Sequence, residues 1–226
     1  MILLDTWLNN PAIQSALWPA LLETLIMVGI SSAVAVIVGL PLGVVLYTTA
    51  RGGMSENRPL NVLLSSVIVN ITRSIPYAIL MLALLGFTRL LLGTSIGPVA
   101  ASVSLSIASI PFFARLVETA LRDVHPGKLD AAHAMGSTKW QSVTKVLIPE
   151  AMPGIVAGVT TTVVTIIGYS AMAGLIGGGG LGRLAYSYGF QRWEPDVMVI
   201  TVIVIVIIVQ LVQFVGDLIS RKVDHR

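Results

Sequence analysis

Few residues in this 226-residue chain have types and spacings that could do chemistry. Asp130-Ala131-Ala132, then Met135-Gly136 and Trp140, put a carboxylate and three small residues in a polar stretch. The small side chains would let another protein approach closely. Tyr169-Ser170 beside Met172 joins polar groups to a flexible thioether, suiting a solute charged at one end and apolar at the other. Core packing accounts for the same residues, since methionine is a common filler. Arg73 lies in an apolar run, where insertion costs roughly 2.5–3.5 kcal/mol. It is either a pathway or gating residue or a side chain snorkelling to headgroups. Pro76 would loosen the helix there and open its backbone.

Catalysis finds no support. His125, His133 and His225 share no ligand spacing, and no Ser/His/Asp arrangement appears. With no cysteine there is no disulfide framework and no thiolate metal site. Gly127-Lys128 is followed by Leu129, with Arg122 where a P-loop needs its first glycine, so the chain does not hydrolyse ATP by itself. Gly177, Gly179 and Gly182 match a dinucleotide fingerprint, but no strand precedes them. They are expected as a flexible outer loop.

The elements that position these residues must be membrane helices. Hydrophobic residues make up 55% and charged residues 11% of the chain, against about 25% charged in soluble proteins. Mean hydropathy is +0.88. Soluble and disordered classes are excluded. Charge-free stretches predict five spans, at about 20–50, 60–86, 98–122, 150–176 and 197–219. Pro111 is expected to kink the third. Residues 1–19 are an interfacial helix or a tail. With the N-terminus outside, ten basic residues fall inside and Arg89, Arg183 and Arg192 outside. That bias predicts N-out, C-in, with Trp7, Trp18 and Trp193 as outer anchors. The net charge of +3 then reflects cytoplasmic loops and not a nucleic-acid surface.

Within the loop 123–149, Pro126 opens a short helix and Gly136 closes it. Thr138 and Gln141 have capping-box spacing for a second helix, which Pro149 should break. Tethering between spans argues against a DNA-reading helix-turn-helix. On the fourth span, Gly154 and Gly158 allow close packing, and Thr160, Thr161, Thr162 and Thr165 offer interhelix hydroxyls. Arg115, Glu118 and Arg122 read as exposed pairs on one face.

The loop resembles that of ABC-importer permeases, which runs Glu-Ala-Ala, three residues, Gly, nine residues, Ile, any, Leu-Pro. Here Asp130-Ala131-Ala132, Gly136, Val146, Ile148 and Pro149 hold those places, with conservative departures at Asp130, Val146 and Ile148. Arg73-Ser-Ile-Pro76, Gly93-Thr-Ser-Ile-Gly97, Gly168-Tyr-Ser-Ala-Met172, Gly177–Gly182 and Gln213-Phe-Val-Gly-Asp217 extend the likeness to methionine-importer permeases across nearly the whole chain. The resemblance implies an all-α integral membrane protein of one domain, residues 1–226. It has five transmembrane helices per protomer and a cytoplasmic coupling-helix pair. It implies a homodimer in the bacterial inner membrane, two ATPase subunits inside that hold ATP and Mg, and a binding protein outside that meets the glycine-rich run. The chain itself then carries no cofactor, no metal and no enzyme activity. Its function would be D- and L-methionine import by alternating access, coupled through Asp130, Ala131, Ala132, Met135, Gly136 and Trp140. The pathway would involve Tyr169, Ser170 and Met172, with Arg73 and Pro76. An importer of another small or polar amino acid, or a passive channel or scaffold, are the alternatives.

Overall fold

The computed structural model describes residues 10–224, so Trp7, His225 and Arg226 lie outside the described residues. Among the described residues every regular element is a helix. They are α1 (Pro11–Thr49), α2 (Arg58–Ser74), α3 (Tyr77–Ala83), α4 (Leu85–Leu92) and α5 (Pro98–Arg122). Then come α6 (Pro126–Ala134), α7 (Lys139–Gly178), α8 (Gly180–Leu184, continued by π-helical turns over Ala185–Gln191) and α9 (Pro195–Val223). Among them α1, α5, α7 and α9 are long and apolar enough to cross a membrane, and α2 with α3 makes a fifth span if the broken pair counts as one. The chain is an all-α, multi-pass membrane protein.

Three boundaries differ from the sequence expectation. Helix α1 starts at Pro11, where Asn10 Oδ1 accepts the Ala12 N–H at 2.8 Å. Residues 11–19 are therefore its first turns and not a separate interfacial helix. The helix expected over 60–86 is broken, because Pro76 is extended at ψ 133°. Proline lacks an N–H and pushes the preceding residue out of the helical region. Pro149, expected to end a helix, lies inside α7. A π-helical stretch, Ser142–Leu147, precedes it, and the Ile148 N–H bonds to Val143 O, one residue further back than in an α-helix. The ladder has already shifted register where the proline lacks its donor. Helix α5 likewise runs on through Pro111.

The chain forms two compact units. Unit 1 comprises Met1–Ala33, Ile75–Ala108 and Val163–Val212; unit 2 comprises Val34–Ser74, Ser109–Thr162 and Gln213–Arg226. In unit 1 one core gathers Met27, Tyr77, Met81, Leu105, Ile166 and Ile167. Another gathers Ala12, Ile13, Leu181, Leu184 and Val197. In unit 2 Phe113, Val117, Leu121, Leu147 and Ile155 form the main core. Close helix approach builds it. A Cβ on Gly154 would lie 2.9 Å from the Ala120 Cβ, and one on Gly158 would lie 3.3 Å from the Leu116 Cβ. The small-xxx-small spacing thus seats α7 on α5. Thr160, Thr161 and Thr162 each donate to the carbonyl four residues back in their own helix. Helix α9 exposes Val202, Ile203, Val206, Ile207 and Phe214, an apolar surface that water would not support at this size.

Candidate functional site

The polar loop builds its shape from local hydrogen bonds. His125 Nδ1 accepts the Gly127 N–H at 3.1 Å, and Pro126 opens α6. Gly136 takes φ +78°. Its N–H bonds to His133 O at 2.9 Å and the Ser137 N–H to Ala132 O at 3.1 Å, the paired bonds of a glycine-terminated helix end. The capping box forms, with the Gln141 N–H on Thr138 Oγ1 at 3.3 Å and the Thr138 N–H on Gln141 Oε1 at 2.9 Å. Helix α6 packs on the π-helical stretch Ser142–Leu147. Ser137 and Ser142 hydroxyls meet at 2.8 Å, and Lys128 pairs with Glu150.

This fixes which side chains are free. Asp130, Ala131, Met135, Gly136 and Trp140 are exposed, Met135 at 82% and Trp140 at 75%. A groove of about 460 Å³ runs beside Met135, Gly136, Gln141 and Lys145. Ala132 differs. It is 3% exposed, and it lines the inner edge of the same groove. Its place on α6 faces the π-helical stretch, a direction that the spacing of the three small residues does not reveal.

The second group lies on α7 in unit 1. The Tyr169 ring stacks on Tyr77 with centroids 4.7 Å apart and planes 7° from parallel. The Tyr77 hydroxyl lies 3.2 Å from Ser104 Oγ. Met172 is exposed, whereas Ser170 is buried and donates to Ile167 O at 2.8 Å within its own helix. Pro76 stands next to Tyr77 at the start of α3. Tyr169 and Pro76 are therefore joined through the tyrosine stack, and Ser170 faces the core. Arg73 belongs to unit 2, exposed, with its guanidinium carbon 5.9 Å from the Phe112 ring centroid. A cation over an aromatic face is held electrostatically, which gives Arg73 a partner within its own unit.

Two constellations differ from the sequence reading. Glu118 is buried, not exposed, and takes Arg115 and Arg122 at 2.6 Å each. Arg115 also reaches α2, donating to Ser65 Oγ at 3.1 Å and Asn70 Oδ1 at 2.8 Å. The i, i+3 and i, i+4 spacing signalled the ion pairs, and nothing local signalled the cross-link to α2. The glycine-rich run, expected as a flexible loop, is packed and hydrogen-bonded. Gly178, Gly179, Gly180 and Leu181 are buried. Glu23 accepts the Gly180 N–H at 2.6 Å and Thr24 Oγ1 accepts the Leu181 N–H at 2.9 Å. An α1 carboxylate and hydroxyl thus satisfy the first donors of α8.

Among the described residues no group of three or more His, Cys, Asp or Glu side chains is placed to hold a metal ion. What the arrangement offers is mechanical: an exposed helix pair carried on a spanning helix, and a stacked aromatic pair beside a broken span.

The family of binding-protein-dependent transport system inner membrane components matches residues 39–226. The chain is similar to the probable D-methionine transport system permease protein MetI of Vibrio cholerae, at 49% identity over 219 residues, covering 97% of this chain and 95% of that one. It is similar to the methionine import system permease protein MetP of Bacillus subtilis, at 47% identity over 210 residues, covering 93% and 94%. Among solved structures, one describing inward-facing conformations of the MetNI methionine ABC transporter has a TM-score of 0.93 and 44% identity, covering 96% of this chain and 100% of that one.

Proposed function

This chain belongs to the binding-protein-dependent transport system inner membrane component family, and on that premise we propose that it is the permease subunit of an ATP-driven methionine importer. The observation that carries the reading is the chain-long likeness to MetI of Vibrio cholerae and to the MetNI methionine ABC transporter. Two copies of the chain form the translocation unit in the inner membrane, with N-termini outside and C-termini inside. The excess of basic residues in the loops assigned to the inner side supports that orientation.

Two ATPase subunits bind ATP and Mg and dock on α6 and the start of α7. Asp130, Ala131, Met135, Gly136 and Trp140 are the contact residues, and their exposure supports this. Ala132 lines the groove beside them. A push on α6 is transmitted to α7 through the packing on Ser142–Leu147, and α7 carries Tyr169 and Met172. These two, with Pro76 and Arg73, contribute to the pathway. Ser170 supports it from the core. An outer binding protein delivers D- or L-methionine, and alternating exposure of the pathway moves it inward.

The test is purification of the native complex, followed by ATPase assay and uptake of labelled methionine in vesicles loaded with ATP. Co-purification of a nucleotide-hydrolysing subunit and ATP-dependent methionine accumulation are expected. Accumulation of another amino acid in its place would move the substrate assignment. Methionine movement without any ATPase attached would leave a passive channel.

A further inference from the structure

In unit 1 a cleft of about 580 Å³ lies between the first turns of α1 and the α8 region. Ser15, Pro19 and Glu23 line one wall; Arg183, Ser187 and Arg192 line the other. Arg183 and Arg192 are exposed. Among the described residues neither has a carboxylate partner. The acid in the cleft, Glu23, already accepts the Gly180 N–H at 2.6 Å. The Arg192 guanidinium carbon lies over the Tyr188 ring, 4.2 Å from its centroid, which holds one guanidinium in place. The cleft therefore presents two arginines, with hydroxyls beside them, and little that competes for an anion.

Its setting points to the anion's source. The walls belong to the first turns of the spanning helix α1 and to the segment just before the spanning helix α9. Exposed aromatic side chains occur on both walls or next to them: Trp18 on α1, then Tyr186, Phe190 and Trp193. Trp and Tyr collect where headgroups meet hydrocarbon. We propose that this cleft binds the phosphate of an anionic phospholipid, with Arg183 and Arg192 as charge partners and the exposed aromatics against the glycerol and upper acyl chain. Arginine suits a phosphate because its planar donors match two oxygens at once. The proposal is independent of which solute is carried.

The experiment uses the whole importer complex in mild detergent and reads bound lipid by native mass spectrometry. Phosphatidylglycerol should be retained and phosphatidylcholine lost. The double variant R183Q/R192Q should bind phosphatidylglycerol roughly 25-fold more weakly, about fivefold for each guanidinium removed. The variant R183K/R192K keeps the charge and should hold most of the lipid. If the glutamine pair fails to assemble, Arg192→Gln alone should still lose about fivefold. Excess inorganic phosphate should leave the lipid bound. Equal retention by the glutamine variants, equal binding of phosphatidylcholine, displacement by inorganic phosphate, or cross-linking of the cleft to a second copy of the chain would each overturn the assignment.

Discussion

Two glycine turns use the residue differently. At Gly136 the backbone is left-handed, φ +78°, and a Cβ would meet nothing within 4 Å. That glycine is there for its dihedral angle. In the run from Gly174 to Gly180 three glycines, Gly177, Gly179 and Gly180, are left-handed too, but space is a second constraint at Gly174 and Gly180. A Cβ on Gly174 would lie 2.6 Å from the Arg183 N and 2.7 Å from the Gly179 O, both backbone atoms. One on Gly180 would lie 2.6 Å from Thr24 Oγ1. The first turn shapes an exposed loop, and the second lets α1 and α8 touch. A glycine in sequence does not announce which of these it serves.

The largest test of that contrast is Gly174→Ala. The backbone cannot yield, so a loss of about 3 kcal/mol is expected, seen as a collapse in yield and melting temperature of the purified complex. An unchanged melting temperature would end the crowding account. Next comes Glu23→Ala, which strands the buried Gly180 N–H and should cost about 2 kcal/mol. Glu23→Gln keeps an acceptor oxygen and should lose less than half as much. Gly136→Ala should cost about 1–2 kcal/mol, from left-handed strain alone. The chain should still insert and assemble, while ATP-driven uptake falls. Gly136→Asn should recover much of the uptake, because asparagine tolerates that conformation. The smallest effect is expected from Thr138→Ala, about 1 kcal/mol from the lost cap. It should be read as faster hydrogen exchange at the Gln141 amide with uptake nearly intact.

The same contrast explains what was legible beforehand. The polar loop could be read because its determinants are local. Pro126, Gly136 and the Thr138–Gln141 box each act within four residues. The membrane class followed from composition, and the motif order carried the family. Contacts between distant residues could not be read. Tyr77 stacks on Tyr169, and Arg115 reaches Ser65 and Asn70. Helices that are apolar all round carry no stripe to say which face packs. Residue type likewise did not show that Ser170 and Ala132 turn inward. Pro149 misled because a proline signal assumes an α-helical ladder, and the register shift at Ser142–Leu147 had already changed it.

That shift has a consequence for how the loop is aimed. One surplus residue winds the helix out of phase by about 100°, the angular step of a single α-helical residue. Deleting one residue between Ser142 and Leu147 would relax the coil to ordinary winding. Gly154 would keep its seat against Ala120, while Trp140 and all of α6 swung around the axis to face elsewhere. The bulge is therefore an alignment device: it sets the compass bearing at which α6 and Trp140 project from α7.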